Sequence, residues 1–205
     1  MKDKSEGFSL DFMAGYYDKL TFTERSRFRR KQMALSRLKE GECVLDVGCG
    51  TGILSILSKL AVGETGRVCG IDIAPKMIER AKEKATKFKL EVEFKSASVT
   101  NLPYPDGSFD VALSSLMFHH LPPGAKRTGL QEISRVLKKD GRFFLSDFGT
   151  PSVLMAPLMF LLLVWPSSTR YQLFGKLPAL IKESGFSDIQ LVKKGLFLKY
   201  YIAKK

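Results

Sequence analysis

Three carboxylates, two adjacent imidazoles and a run of alternate glycines are the residues of this sequence whose types and spacing can do chemistry. Asp46 stands inside an apolar run, Val44-Leu45-Asp46-Val47, and is followed by Gly48-Cys49-Gly50-Thr51-Gly52. Glycines there permit positive φ and let a ligand lie against bare main chain, and the periodic run from Ile53 adds the unpaired N–H groups of a new helix. A carboxylate in such a turn is wrong for a pyrophosphate but suits a ligand carrying an ammonium or a sulfonium. Asp72 closes a second apolar run, where a carboxylate can accept both hydroxyls of a ribose. Capping the helix that begins near Pro75 is a second role open to the same group. His119 and His120 follow a third run, placing an imidazole where it can take a proton from a hydroxyl or a carbon acid. Asp147 ends a fourth run and is expected to face the same space. Cys43, Cys49 and Cys69 have no metal-ligand spacing and read as reduced core residues, so no metal is expected.

These groups need strands and helices to bring them together. Hydrophobic periodicity predicts a basic helix over Thr23–Leu38 with Thr23 as its N-cap, then strands and helices in alternation. After the glycine turn come a helix to about Leu60, a strand over Arg67–Ile73, a helix over Pro75–Phe88 and a strand over Leu90–Phe94. Next are a strand over Phe109–Ser115, a helix over Ala125–Leu137 and a Lys138–Gly141 turn into a strand over Arg142–Asp147. The chain closes with a helix over Leu177–Ser184, a strand over Phe186–Val192, a turn at Lys193-Lys194-Gly195 and a strand over Leu196–Ala203. Such alternation implies a doubly wound α/β sheet, in which ligands collect at the carboxyl ends of the strands.

The Asp46–Gly52 stretch, D-x-G-x-G-x-G, resembles the first motif of class I S-adenosylmethionine-dependent methyltransferases. Leu102-Pro103-Tyr104-Pro105-Asp106-Gly107-Ser108-Phe109-Asp110 resembles the signature of the broad small-molecule branch that includes ubiquinone and menaquinone biosynthesis enzymes. Glu132-Ile133-Ser134-Arg135-Val136-Leu137-Lys138 is similar to a further stretch of that family, although Lys139, Asp140 and Arg142 displace its usual proline and second glycine. The resemblance implies a Rossmann-like seven-stranded sheet in the order 3-2-1-4-5-7-6, with the last strand antiparallel, and S-adenosyl-L-methionine as cofactor. It implies a cofactor site at Asp46, Gly48, Cys49, Gly50, Gly52, Asp72, Ile73, Met77, Ser98, Val99 and Ser114. Tyr16, in a Tyr-Tyr-Asp lead-in, would fold over the ligand. An acid usually stands at the position of Ser98, so here a serine hydroxyl or nearby carbonyls are left to read adenine. His119, His120 and Asp147 are the candidate catalytic residues.

The 205 residues read as one domain: a lead-in over 1–40, a cofactor-binding core over 40–150, an apolar insert over 151–176 and a closing segment over 177–205. The net charge of +12 is spread along the chain with a C-terminal bias, which fits a solvated basic surface, an anionic membrane surface or RNA. Val153–Trp165 is shorter than the roughly 20 residues a bilayer span needs, leaving a buried cap, a wall of a lipid-accommodating pocket, or a membrane or dimer contact. Asn101-Leu102-Pro103-Tyr104 looks like a loop of base-methylating enzymes but precedes the fourth strand instead of following it, so the match is coincidental. The expected acceptor is small or amphiphilic and apolar, quinone- or lipid-like. An RNA methyltransferase and a cofactor-binding protein without turnover are the alternatives. Nucleic acid is not the expected partner, peripheral membrane contact is open, the oligomeric state is not legible, and the polar opening predicts a cytoplasmic protein.

Overall fold

The computed structural model describes residues 22–149, 175–195 and 198–205. Tyr16 and the Val153–Trp165 stretch lie outside the described residues. The elements in chain order are α1 (Phe22–Ser36), β1 (Cys43–Val47), α2 (Ile53–Val62), β2 (Arg67–Asp72), α3 (Pro75–Lys87) and β3 (Glu93–Ser96). There follow β4 (Phe109–Ser115), α4 (Pro123–Val136), β5 (Leu137–Phe148), α5 (Leu177–Glu183), β6 (Ser187–Lys194) and β7 (Leu198–Lys204).

The strands form one sheet in the order β3-β2-β1-β4-β5-β7-β6. β1 to β5 run parallel, while β7 is antiparallel to both β5 and β6. Parallel strands need helical crossovers that cover both faces, and the sheet accordingly carries apolar side chains on each. On one face Leu45, Val47, Phe143 and Leu145 pack with Leu130 and Ile133 of α4 and Leu180 and Ile181 of α5. On the other, Val44, Val111, Leu113, Phe144 and Ile202 pack with Leu54 and Val62 of α2 and with Phe28 and Met33 of α1.

Several boundaries differ from expectation, among them the expected turn at Lys193 and Lys194, which belongs to β6. α1 already includes Thr23, which is therefore not its N-cap. β3 begins at Glu93 because only Cys69 to Asp72 of β2 offer it partners. β5 starts at Leu137, opposite Phe109, and a register shift leaves Lys138–Gly141 as an irregularity within the strand before Arg142 pairs with Val111. Arg142, just after the family-like stretch, has a purpose here. Its guanidinium holds both carboxylate oxygens of Glu42 at 2.7 and 2.9 Å and donates to the carbonyls of Ser36 and Arg37, fastening the end of α1 to the sheet.

Candidate active site

The carboxyl ends of β1 to β4 open into a cleft floored by Gly48, Cys49, Gly50 and Thr51. Gly48 and Gly50 have φ of +74° and +54°, in the left-handed region that glycine alone enters without penalty. The N–H groups of Gly48 and Cys49 both donate to the Ile71 carbonyl at 2.8 Å, which pins the turn to β2. A Cβ on Gly50 would meet nothing within 4 Å, so bare backbone faces open space. That is the cradle a ligand needs.

Asp72 stands at the end of β2, with one carboxylate oxygen accepting from Gly50 N–H and the other from Ala74 N–H, each at 2.9 Å. The two roles read from sequence therefore coexist. Asp72 holds the glycine turn against the entry of α3, and a carboxylate with about four acceptor directions can also take a diol. Asp46 lies deeper, only 1% exposed, and accepts the Ser55 hydroxyl at 2.6 Å. Burial raises its pKa to about 6, with Asp72 adding to the rise and Ser55 and Arg29 opposing it. A buried carboxylate held near its titration point gains from a cation beside it.

Ile73, Met77, Ser98 and Val99 line the opposite side of the cleft. The Ser98 hydroxyl lies 2.8 Å from that of Thr100 and accepts the Thr100 N–H, so a short polar turn occupies the place of the family's acid. This turn is held from behind. Arg135 of α4 donates to the carbonyls of Leu102 and Tyr104 and pairs with Asp106, while Glu132 accepts the Leu102 N–H. The family-like Glu132 and Arg135 are thus scaffold for the loop that follows Ser98.

Two residues expected at the cofactor site do not line the cleft. Gly52 does not line the cleft: a Cβ there would lie 2.8 Å from Ala81 and 2.9 Å from Phe94, so its bareness serves the packing of α3 and β3. Ser114 is fully buried and donates to the Val47 carbonyl at 2.9 Å, joining β4 to β1. Its neighbour Ser115 lines the cleft instead, with Leu116 and Met117.

The histidines divide between cleft and interior. His120 lines the cleft, and burial followed by the proximity of His119 draws its pKa down to about 4. His119 and Asp147 do not reach the cleft surface. The His119 Nδ1 lies 2.8 Å from an Asp147 carboxylate oxygen, and its ring centroid lies 3.9 Å from that of His120. Asp147 also accepts the N–H groups of His119 and Phe148. Lys126, wholly buried, donates to the Leu121 carbonyl and has its pKa lowered to about 8 by burial, against the pull of Asp147.

Among several cleft residues that sequence reasoning missed, one is charged. Arg29 of α1 lines the cleft, donating to Gln32 at 2.8 Å and to Ser115 at 3.1 Å, while Gln32 bonds Ser115 and Ser146. The only signal in the sequence is a basic helix, which does not say which of its cations turns inward.

A glycine cradle, a carboxylate at the end of β2 and a buried acid beside the turn define a nucleoside-binding protein of the doubly wound class, one whose ligand carries positive charge. The comparisons narrow this. Residues 44–141 match the family model described as a methyltransferase domain. A C-methyltransferase of ubiquinone and menaquinone biosynthesis, UbiE from Bdellovibrio bacteriovorus, is 35% identical over 145 residues, 69% of this chain and 60% of the relative. A 27-O-demethylrifamycin SV methyltransferase from Amycolatopsis mediterranei is 34% identical over 139 residues, 65% of this chain and 50% of the relative. The chain thus spans about half to three-fifths of the length of these curated relatives. A SAM-dependent methyltransferase structure from Aquifex aeolicus superposes with a TM-score of 0.76 at 25% identity, covering 93% of this chain and 97% of that one. Residues 44–141 thus carry a methyltransferase domain, the chain is similar to S-adenosylmethionine-dependent methyltransferases of the class I fold, and S-adenosylmethionine is the cofactor that its cleft fits.

Proposed function

We propose that this protein transfers a methyl group from S-adenosylmethionine to a small or amphiphilic apolar acceptor with a proton to lose. The observation that carries this reading is the wall of the cleft beyond the glycine turn, where Leu116, Met117 and Leu121 surround a single imidazole, His120. Such a wall desolvates a ring or hydrocarbon chain. The relatives named for menaquinone and rifamycin substrates support the same class of acceptor.

The cofactor supplies an electrophilic methyl on a sulfonium, so the protein's task is positioning and exclusion of water. Gly50 and Asp72 hold the nucleoside end, while Asp46 and Arg29 offer opposite charges to the ammonium and carboxylate of the methionine end. Bound there, the cofactor would supply the methyl group, and the acceptor that received it would have a proton to lose. The neutral His120 imidazole takes that proton despite its low basicity. Asp147 orients His119, whose ring backs His120, so these two act as positioning residues.

The test is turnover of labelled cofactor with a panel of hydroquinones and phenols. His120→Ala should lower kcat by about 10²-fold or more, the usual scale for acid–base assistance, and leave cofactor affinity unchanged. Met117→Ser should raise KM for apolar acceptors. Unchanged kcat in His120→Ala would remove the proton-accepting role, and turnover confined to polar acceptors would remove the substrate class.

A further inference from the structure

The cleft is charged at one end and neutral at the other. Arg29, Asp46 and Asp72 stand on the side of α1, β1 and β2, whereas the wall beyond β2 is built from Ile73, Met77, Ala97 and Val99. On that wall the polar side chains among the described residues are Ser98 and Thr100, both hydroxyls. The end of β3 fixes what they face. Ser96 pairs with Asp72, and the Ala97 N–H donates to the Asp72 carbonyl at 3.1 Å, so the turn over 97–100 begins beside the carboxylate that takes the ribose. With the methionine end drawn toward Asp46 and Arg29, a base attached to that ribose extends the other way, over this turn.

The turn is held from several directions. The Asn101 N–H donates to the Ser98 carbonyl at 3.2 Å, and Glu132 accepts the Leu102 N–H at 2.8 Å. Val99 is backed closely by α4, where a Cβ on Gly129 would lie 2.9 Å from it. Ser98 Oγ accepts the Thr100 N–H at 3.2 Å and lies 2.8 Å from Thr100 Oγ1, and either oxygen of that pair can be the donor. A hydroxyl has one proton and two lone pairs, so the direction of this single bond decides what each group presents to the cleft. When Ser98 donates to Thr100, Ser98 offers a lone pair and Thr100 a proton. When Thr100 donates to Ser98, Ser98 offers the proton and Thr100 a lone pair.

We propose that Ser98 and Thr100 form a reversible two-hydroxyl reader, through which the cleft takes 6-oxopurine nucleosides of the cofactor type as well as 6-aminopurine ones. Adenine carries a donor at position 6 and an acceptor at N1, and hypoxanthine carries the reverse. Turning over the Ser98–Thr100 hydrogen bond converts the match for one edge into the match for the other without moving a heavy atom. A carboxylate in place of Ser98 can only accept, and it would set a negative charge against the 6-oxygen. The proposal rests on the reading of S-adenosylmethionine as the cofactor.

The experiment is calorimetric titration with S-adenosylhomocysteine and with S-inosylhomocysteine, its 6-oxo analogue, neither of which needs a methyl acceptor. The wild type should bind the two within about tenfold of each other, the span of one neutral hydrogen bond. Ser98→Asp should hold the adenine ligand at least as tightly and weaken the hypoxanthine ligand about 10- to 100-fold, the scale of a hydrogen bond to a charged group. Thr100→Val removes the partner that makes the reversal possible and should weaken both ligands alike, by about three- to tenfold. Thermal melts show whether each variant is folded, and the wild-type ratio and the Thr100→Val arm stand even where Ser98→Asp is not. Wild-type rejection of S-inosylhomocysteine by more than about 100-fold, as in a site with a fixed donor and acceptor pattern, overturns the proposal. So does equal discrimination by wild type and a folded Ser98→Asp, or a Thr100→Val variant with both affinities untouched. Failure of the cofactor reading looks different: the wild type then binds neither ligand, and the proposal falls with it.

Discussion

Asp46→Asn should make this protein more stable and a worse binder of its cofactor. The carboxylate is wholly buried, and burial raises its pKa from 3.8 to about 6. A group whose folded pKa lies above its unfolded value contributes fully to stability below the unfolded pKa and loses that contribution as pH rises through the folded one. The window here runs from about pH 4 to just above 6. At pH 7 the ionised Asp46 therefore costs the unliganded fold about 3 kcal/mol, two pKa units at 1.36 kcal/mol each. Asparagine keeps the shape and still accepts the Ser55 hydroxyl, so Asp46→Asn should recover about 1–3 kcal/mol at pH 7 and nothing at pH 4. Cofactor binding has the opposite sign. Only the carboxylate attracts a cation, and at pH 5 about a tenth of the groups are ionised, so wild-type affinity should fall about tenfold between pH 7 and pH 5, or about 1.4 kcal/mol. In Asp46→Asn that slope should vanish, with affinity at pH 7 lower by about 1.5–3 kcal/mol, the range for a charged hydrogen-bond partner. Thermal denaturation and calorimetry across pH 4–7.5 measure both arms. A variant less stable than wild type at pH 7, or one with the wild-type pH slope of affinity, would refute the reasoning.

Gly50→Val places a branched side chain in the ligand's space at a φ of +54°, so calorimetry should find no cofactor binding. Left-handed strain of about 1–2 kcal/mol should leave the protein folded, and undiminished affinity in a folded variant would remove the glycine cradle from the site. Asp72→Ala should weaken cofactor binding by about 1.5–3 kcal/mol and also lower the melting temperature, because the Gly50 and Ala74 N–H groups lose their acceptor. A loss of stability with affinity intact would leave Asp72 as scaffold only.

The parts of the site legible in the sequence are those that backbone chemistry decides locally. Gly48, Gly50 and Asp72 sit at strand ends marked by apolar runs, and a chain that must turn through positive φ there has no residue but glycine to use freely. Alternating strands and helices likewise pointed to a doubly wound sheet, while its strand order was legible only through the family resemblance. What the sequence alone did not decide is which way equivalent side chains point. Gly52 has the same spacing as Gly50, yet α3 and β3 press against it. Ser114 and Ser115 are adjacent, and only the pairing of β4 with β1 determines that the first bonds Val47 while the second meets Arg29. Arg29 itself and His119 behind His120 depend on contacts between residues far apart in the chain. Such contacts form only when helices pack on the sheet, because burial and charge pairing are properties of neighbours that a linear pattern does not name.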